Sequence, residues 1–396
     1  MTTRRVTIIH PWLPQYRVPF FEAAITELER RDIELTVAHG APPPDVLDRR
    51  DAHSADWAVP LRTRTIRIRG RALLAHDSSK VVRGRDLVVA EHAIRNVETY
   101  RLAACAGASG APRLALWGHG RTYTKSQTSL EQKVKARLTR SAHWFFAYTD
   151  GGARSVAAQG FPVERVTVVQ NSIDTEHLGN LRAAVTSDRV ATIAASLGLT
   201  RGRTALSIGA LDSSKRLDDL VETGNLVAAQ LPGFTLVLAG AGPLEAWVRQ
   251  QASRYSWLRY VGPVFGREKA ELAATADLMM ITGRVGLVAV DSFALHLPIV
   301  TTRWALHAPE FEYLVDGRNA AVVADSVDVL ADRVVELLRD SALVSALTIG
   351  CRVAAKQYTL AAMVDRFADG VSAALMAAPR QTFGNHEPGR ANLVRV

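Results

Sequence analysis

The sequence predicts an α/β protein of two doubly wound domains facing a central cleft, and three observations carry that expectation. The chain has 396 residues, more than one core ordinarily organises, which points to about two domains of roughly 150 to 200 residues. Short continuous apolar runs alternate with amphipathic stretches, the pattern of a mainly parallel sheet covered by helices. The alternation then breaks over the polar, small residues of 176–203 and restarts at TALSIG.

In chain order, RRVTIIH reads as a buried-type strand and RVPFFEAAITELERR as an amphipathic helix with Pro19 in its first turn. IELTVAHG, LRTRTIRIR, DLVVA (86–90), RLALW (113–117), WFFAY (144–148) and RVTVV (165–169) continue the strands of a first domain spanning 1–175. Residues 176–203 read as a linker. A second domain over 204–379 has strands at 205–209, 234–239, 259–261, 277–281, 299–301 and 320–323, separated by helices such as SKRLDDLVETGNLVAAQ. Its last helix can pack back on the first domain. The tail 380–396 lacks apolar periodicity and reads as disordered.

Composition narrows the class. At 48% hydrophobic and 22% charged residues the chain is globular, and no apolar run approaches the ~20 residues that span a bilayer. The opening MTTRRVTIIHPW runs into a strand without a signal-peptide core, so a cytoplasmic location is expected, with peripheral attachment to the inner face of the membrane as an option. Cys105 and Cys351 have no metal-ligand spacing around them, which leaves neither a disulfide framework nor a zinc site.

Charge is unevenly divided. Residues 1–200 hold 28 Lys and Arg against 19 Asp and Glu, whereas residues 201–396 hold 20 of each. An anionic partner, whether an acidic membrane, a phosphate-bearing acceptor or nucleic acid, is thus expected to meet the first half, the alternative being surplus arginine that only aids solubility. The basic residues gather at Arg67, Arg69 and Arg71 and over 125–140. There Lys133, Lys135, Arg137 and Arg140 are expected on the exposed side of a helix with apolar stripe Leu130, Val134 and Leu138.

The most informative segment is GRVGLVAVDSFALHLP at 283–298. A glycine turn at Gly286 leads into a helix, so the N–H groups near Leu287 and Val288 would face an anion with the helix dipole behind them, and Asp291 could accept from a ribose diol. Taken alone, it reads equally as an ordinary strand-turn-helix. SIGALDSSKRLDDL places Lys215 and Arg216 after a strand, where a diphosphate would find a cation and Asp212 a capping role, or where both are simply solvated. LVLAGAGPL lacks the third glycine and following acid of a dinucleotide fingerprint. In the first half, LWGHGRTYTKS sets His119 between two glycines, and HPWLPQYRVPFF carries His10, Tyr16 and Arg17. HAPEFEYLVDG adds His307 and Glu310 after a second-domain strand.

In this order and spacing, NSID at 171–174, SIGALDSSK, LVLAGAGPL, GLVAVDSFALHLPIVTT and HAPEFEYLVDGRN resemble the retaining glycosyltransferases of the GT-B fold, in particular the GT4 family, up to about residue 379. The resemblance implies two Rossmann-like domains, a nucleotide-sugar donor and no metal or other cofactor. It implies that Lys215, helped by Arg216, holds the donor diphosphate, that the Gly286, Leu287 and Val288 backbone caps it, and that Asp291 grips the ribose. His119 and Glu310 would be catalytic, acting near the donor sugar. His10, Tyr16 and Arg17 would lie on the acceptor side, with an acceptor that is anionic or membrane-associated and no nucleic acid. Three departures stand out: the family's first paired acid falls at Gly283, its phosphate Arg at Ala210, and its glycine-rich N-terminal loop is replaced by PQYRVPFF. A GT-B sugar-nucleotide epimerase and a catalytically weak sugar-nucleotide or glycan-binding module are the rival readings.

Overall fold

The computed structural model describes residues 3–42, 53–68, 71–106, 108–123 and 128–379. Arg69, Lys125 and the tail 380–396 lie outside the described residues. In the first lobe, strands β1 (Arg4–His10), β2 (Ile33–His39), β3 (Ala58–Pro60), β6 (Leu87–Glu91), β7 (Arg113–Gly118), β8 (Trp144–Ala147) and β9 (Val166–Val168) form one sheet in the order β3-β2-β1-β6-β7-β8-β9. Every pairing in it is parallel. In the second lobe, β10 (Thr204–Ile208), β11 (Thr235–Ala239), β12 (Leu258–Gly262), β13 (Leu278–Ile281), β14 (Ile299–Thr302) and β15 (Ala320–Val323) are ordered β12-β11-β10-β13-β14-β15, again all parallel. Both orders reverse beside their first strand, and ligands of such sheets bind outside the strand C-termini at that reversal.

Strand burial explains the parallel sheets. Leu87 to Ala90, Leu114 to Trp117 and Leu278 to Ile281 are buried on both faces, as continuous apolar runs require. LRTRTIRIR behaves differently. Its strand β4 (Thr63–Ile68) pairs antiparallel with β5 (Arg71–His76) outside the main sheet. Arg64 and Arg67, three apart, fall on opposite faces of TRTIRI and cannot both enter a sheet buried on both sides, and Ile66 is left 43% exposed.

Two further expectations are corrected. Residues 176–203, read as a polar connecting stretch, are largely helical: they fall in helices Thr175–Ala183 and Ser187–Leu197, capped by Asp174, which accepts from His177 N–H, and by Thr186, which accepts from Arg189 N–H. Leu178 is buried in the second-lobe core, and Arg189 pairs with Glu271 at 2.8 Å. Sparse apolar residues hide these helices in the sequence. The helix Ser129–Ser141 turns a different face inward than its stripe suggests, burying Glu131, Lys135, Leu138 and Thr139 while Leu130 is 71% exposed. Residues 131, 135 and 139 lie four apart on one side of the helix, whose N-terminus is closed by a capping box between Thr128 and Glu131.

The final helix, Leu360–Met376, crosses back to the first lobe. Phe367, fully buried, meets Phe20, Trp117 and Phe146 with ring centroids 5.4, 5.2 and 4.9 Å apart. Phe367→Ala should cost ~3–5 kcal/mol of stability, as for other buried aromatic truncations. Urea denaturation measures this, and an unchanged midpoint would mean that the helix does not complete the first-lobe core.

Candidate active site

Between the lobes lies a cavity of about 630 Å³. The first lobe lines it with Tyr16, Arg17, His119, Tyr148 and Asn171, and the second with Lys215, Lys269, Asp291, Glu310 and the turn from Gly286 to Val288. Ala210 also lines it, so the cationic position absent from the sequence is physically part of this cavity.

On the second-lobe side, Lys215 ends a short 3-10 turn after β10, where the Asp212 carboxylate accepts from the N–H and hydroxyl of Ser214. Its Nζ donates to the Arg284 carbonyl at 2.7 Å, joining the β10 and β13 loops. Gly283 is what lets them meet: a Cβ there would come within 2.4 Å of the Lys215 carbonyl carbon and the Ser214 carbonyl oxygen. A side chain at 283, an acid included, is therefore excluded by backbone.

Next, His307 Nδ1 accepts from Val285 N–H at 3.0 Å while Nε2 donates to the Thr302 carbonyl at 2.8 Å. The helix Val288–Ala294 starts just beyond. Its first hydrogen bonds run from Ala289 to Gly286 and from Val290 to Leu287, so the N–H groups of Gly286, Leu287 and Val288 precede the helical ladder at the cavity wall.

Asp291 lines the cavity but also pairs with Lys269 at 2.8 Å. Lys269 was missed in the sequence, since it sits in an ordinary amphipathic helix, Gly266–Thr275, with no motif around it. Arg216 is a correction. Its guanidinium is held by Asp219 and Asp325, each at 2.5 Å, and lies over Trp304, and Arg216 is not among the residues lining the cavity.

The first lobe presents His119 immediately after β7, against Tyr148 at 4.9 Å and Tyr123 at 5.8 Å between ring centroids. Burial, with Lys135, Arg17 and Arg284 nearby, lowers its pKa to about 3, so the imidazole is neutral at pH 7. His10 is the second correction. It packs edge-on to Trp12 and Phe21, bonds the Trp12 carbonyl and faces a separate small recess with Glu91 and Trp117. That recess shares Tyr148 with the interdomain cavity, which His10 itself does not line.

Arg17, 2% exposed, crosses toward the second lobe. It lies 5.3 Å from the Trp117 ring and 5.4 Å from that of Tyr148, and donates to Asn171 Oδ1 at 2.5 Å. Asn171 Nδ2 in turn donates to Glu310 Oε1. Burial raises the Glu310 pKa, opposed by the Asn171 bond and the Arg17 charge. Asn171 stood within the NSID motif without a role; its bridging becomes visible only when the lobes meet.

Comparison with known proteins follows this geometry. Residues 202–340 match the family described as Glycosyl transferases group 1. No curated protein matches the chain. Among solved structures, the chain is similar to Alr3699/HepE of Anabaena in complex with UDP, with a TM-score of 0.68 at 16% identity over 93% of this chain and 99% of that one. It is similar to a glycosyltransferase from Rickettsia africae ESF-5, with a TM-score of 0.69 at 11% identity over 96% and 100%. A third is sucrose-phosphate synthase from Thermosynechococcus elongatus, with a TM-score of 0.66 at 12% identity over 93% and 98%. The two facing lobes have the GT-B fold.

The His307 geometry makes a testable statement about pH. A protonated ring cannot accept from Val285, and burial lowers the His307 pKa from 6.5 to about 4. Between these values the unfolded chain holds a proton that the folded one lacks, so this share of stability is complete above pH 6.5 and is lost as pH falls toward 4. His307→Gln should flatten the pH dependence of unfolding free energy between about pH 6.5 and 4.5 by up to ~1.4 kcal/mol per unit. Identical slopes for both proteins in urea titrations would contradict the assignment.

Proposed function

We propose that this chain is a glycosyltransferase of the retaining, GT4-like kind, which moves a sugar from a nucleotide-sugar donor to an acceptor hydroxyl. The single observation that carries the reading is the meeting of Lys215 and the Gly286 turn with His119 across one cavity. The Glycosyl transferases group 1 match covers the lobe that supplies Lys215, the turn and Asp291. Alr3699/HepE, which shares the fold, is solved with UDP and with UDP-glucose.

Chemically, the donor's diphosphate gains negative charge as the glycosidic bond breaks. The Lys215 ammonium and the N–H groups of Gly286, Leu287 and Val288 are aimed at that charge, and such preorganised donors act most strongly where water is excluded. Asp291, with Lys269 beside it, takes the ribose diol. Neutral His119 serves as a hydrogen-bond partner of the donor sugar from the opposite lobe, and Glu310 lies on the sugar side, tied to Arg17 through Asn171. The acceptor oxygen then bonds the anomeric carbon on the face from which the nucleoside diphosphate leaves, its proton passing to the departing phosphate oxygen, so that configuration is retained. No metal enters this scheme.

The acceptor, in this reading, is met by the basic first half, and the enzyme works in the cytoplasm. No helix among the described residues is long and apolar enough to cross a membrane. The backbone-filled position at Gly283 favours one second reading, a sugar-nucleotide-binding module with weak turnover. An epimerase would turn over without any acceptor.

Lys215→Ala should weaken UDP, GDP or dTDP binding, whichever the protein takes, by about 1.5–3 kcal/mol, the range for a hydrogen bond to a charged group. Calorimetry with unchanged affinity for all three would remove Lys215 from the diphosphate site. His119→Ala should reduce turnover strongly while diphosphate affinity stays nearly intact, as expected of a contact made mainly in the transition state. Near-normal turnover with a donor and acceptor pair would sink its catalytic role.

A further inference from the structure

Beside the interdomain cavity lies a second recess of about 630 Å³, wholly within the first lobe. Arg121, Lys133 and Lys135 line it together with Thr122, Ser129 and Gln132, and among its described lining residues there is no carboxylate. Lys135 is 7% exposed and donates to Thr122 Oγ1 at 3.2 Å. Its burial is unusual for an ammonium, a compact and strongly hydrated ion that is costly to remove from water. Glu91, which faces it from β6, accepts from Asn96 Nδ2 at 2.8 Å. Burial lowers the Lys135 pKa to about 8, which leaves the amine mostly protonated at pH 7. An oxyanion in the recess would favour the charged form further.

The recess is coupled to the interdomain cavity by one peptide link. His119 lines the cavity, whereas Gly120, the next residue, lines the recess. Gly120 has a φ of +71°, and a Cβ on it would lie 2.3 Å from the Gly152 carbonyl, so a side chain is excluded where the two spaces adjoin. Gln159 fixes the wall from below, donating to the Gly120 carbonyl at 3.1 Å and to that of Ser155 at 2.9 Å. The Lys135 charge also reaches His119, where it helps burial to lower the pKa of the ring.

We propose that this recess binds a phosphate-type oxyanion carried by the acceptor, with Lys135 as the buried cation and Arg121 and Lys133 at its mouth. The acceptor part of this inference rests on the glycosyltransferase reading; the anion site itself does not. A monoester dianion fits the chemistry, because three cations and five hydroxyl or amide side chains offer more donors than a single carboxylate uses. Such a group is presented equally by a soluble phosphorylated acceptor and by a phospholipid headgroup.

The test is calorimetry of the full chain with inorganic phosphate, repeated with UDP at saturation. Phosphate should still bind when UDP fills the interdomain cavity. Lys135→Met and the surface double variant Arg121→Gln with Lys133→Gln should each weaken phosphate binding about tenfold or more, with UDP affinity unchanged. The double variant keeps the test valid if Lys135→Met fails to fold. Undiminished phosphate affinity in the folded variants, or complete displacement of phosphate by UDP, overturns the proposal. Phosphate binding without any nucleotide binding would instead overturn the glycosyltransferase reading and leave the anion site standing. Lys135-dependent sedimentation with phosphatidic acid vesicles, absent with phosphatidylcholine, supports a lipid source; phosphate binding without sedimentation supports a soluble one.

Discussion

The contact on which the second lobe's site depends is the approach of Gly283 to the backbone of Ser214 and Lys215. β10 and β13 are neighbours at the reversal of strand order, so the loops leaving them run side by side. With no Cβ at 283 they touch, and hydrogen bonds then lock them: Arg284 N–H to the Ser214 carbonyl at 2.8 Å, Lys215 Nζ to the Arg284 carbonyl, and Thr282 Oγ1 to the carbonyls of Lys215 and Arg216. The turn through Val285 and Gly286 is thereby fixed relative to the lysine. A larger residue would separate the cation from the N–H groups that act with it. The missing acid at this position is thus exchanged for a packed junction.

Across the cavity the first lobe answers with cations and neutral rings. Arg17 is stripped of water but lies over the faces of Trp117 and Tyr148 and donates to Asn171, an arrangement in which aromatic quadrupoles and an amide replace hydration. The final helix takes part as well, since Met363 Sδ lies 3.8 Å from Arg17 Nη1. That helix follows the second lobe in sequence and packs on the first. The position of Arg17, and through Asn171 that of Glu310, therefore depends on both ends of the chain.

Much of this was legible in order but not in contact. The strand series, the helix after β1, the loop with Lys215, the turn at Gly286 and the glycine-flanked His119 follow from local patterns, because continuous apolar runs and glycine turns are local signals. The helices within 176–203 were hidden by sparse apolar residues, and the inward face of Ser129–Ser141 by the burial of polar Glu131, Lys135 and Thr139. Lys269 and Asn171 could not be assigned at all, since each acts only on a residue far away in sequence.

The sequence by itself determined two parallel α/β lobes, the place where the pattern restarts, and the turn and cationic residues offered as candidates for a site. Those depend on period, turn chemistry and side-chain type, which are properties of short segments. Only the tertiary structure decided which of the candidates meet. It withdrew Arg216 to two carboxylates and His10 to an aromatic cluster, and buried Lys135 where exposure was expected. The physical reason is competition: a charge goes to the partner nearest in space, and distance in space is set by packing, not by spacing along the chain.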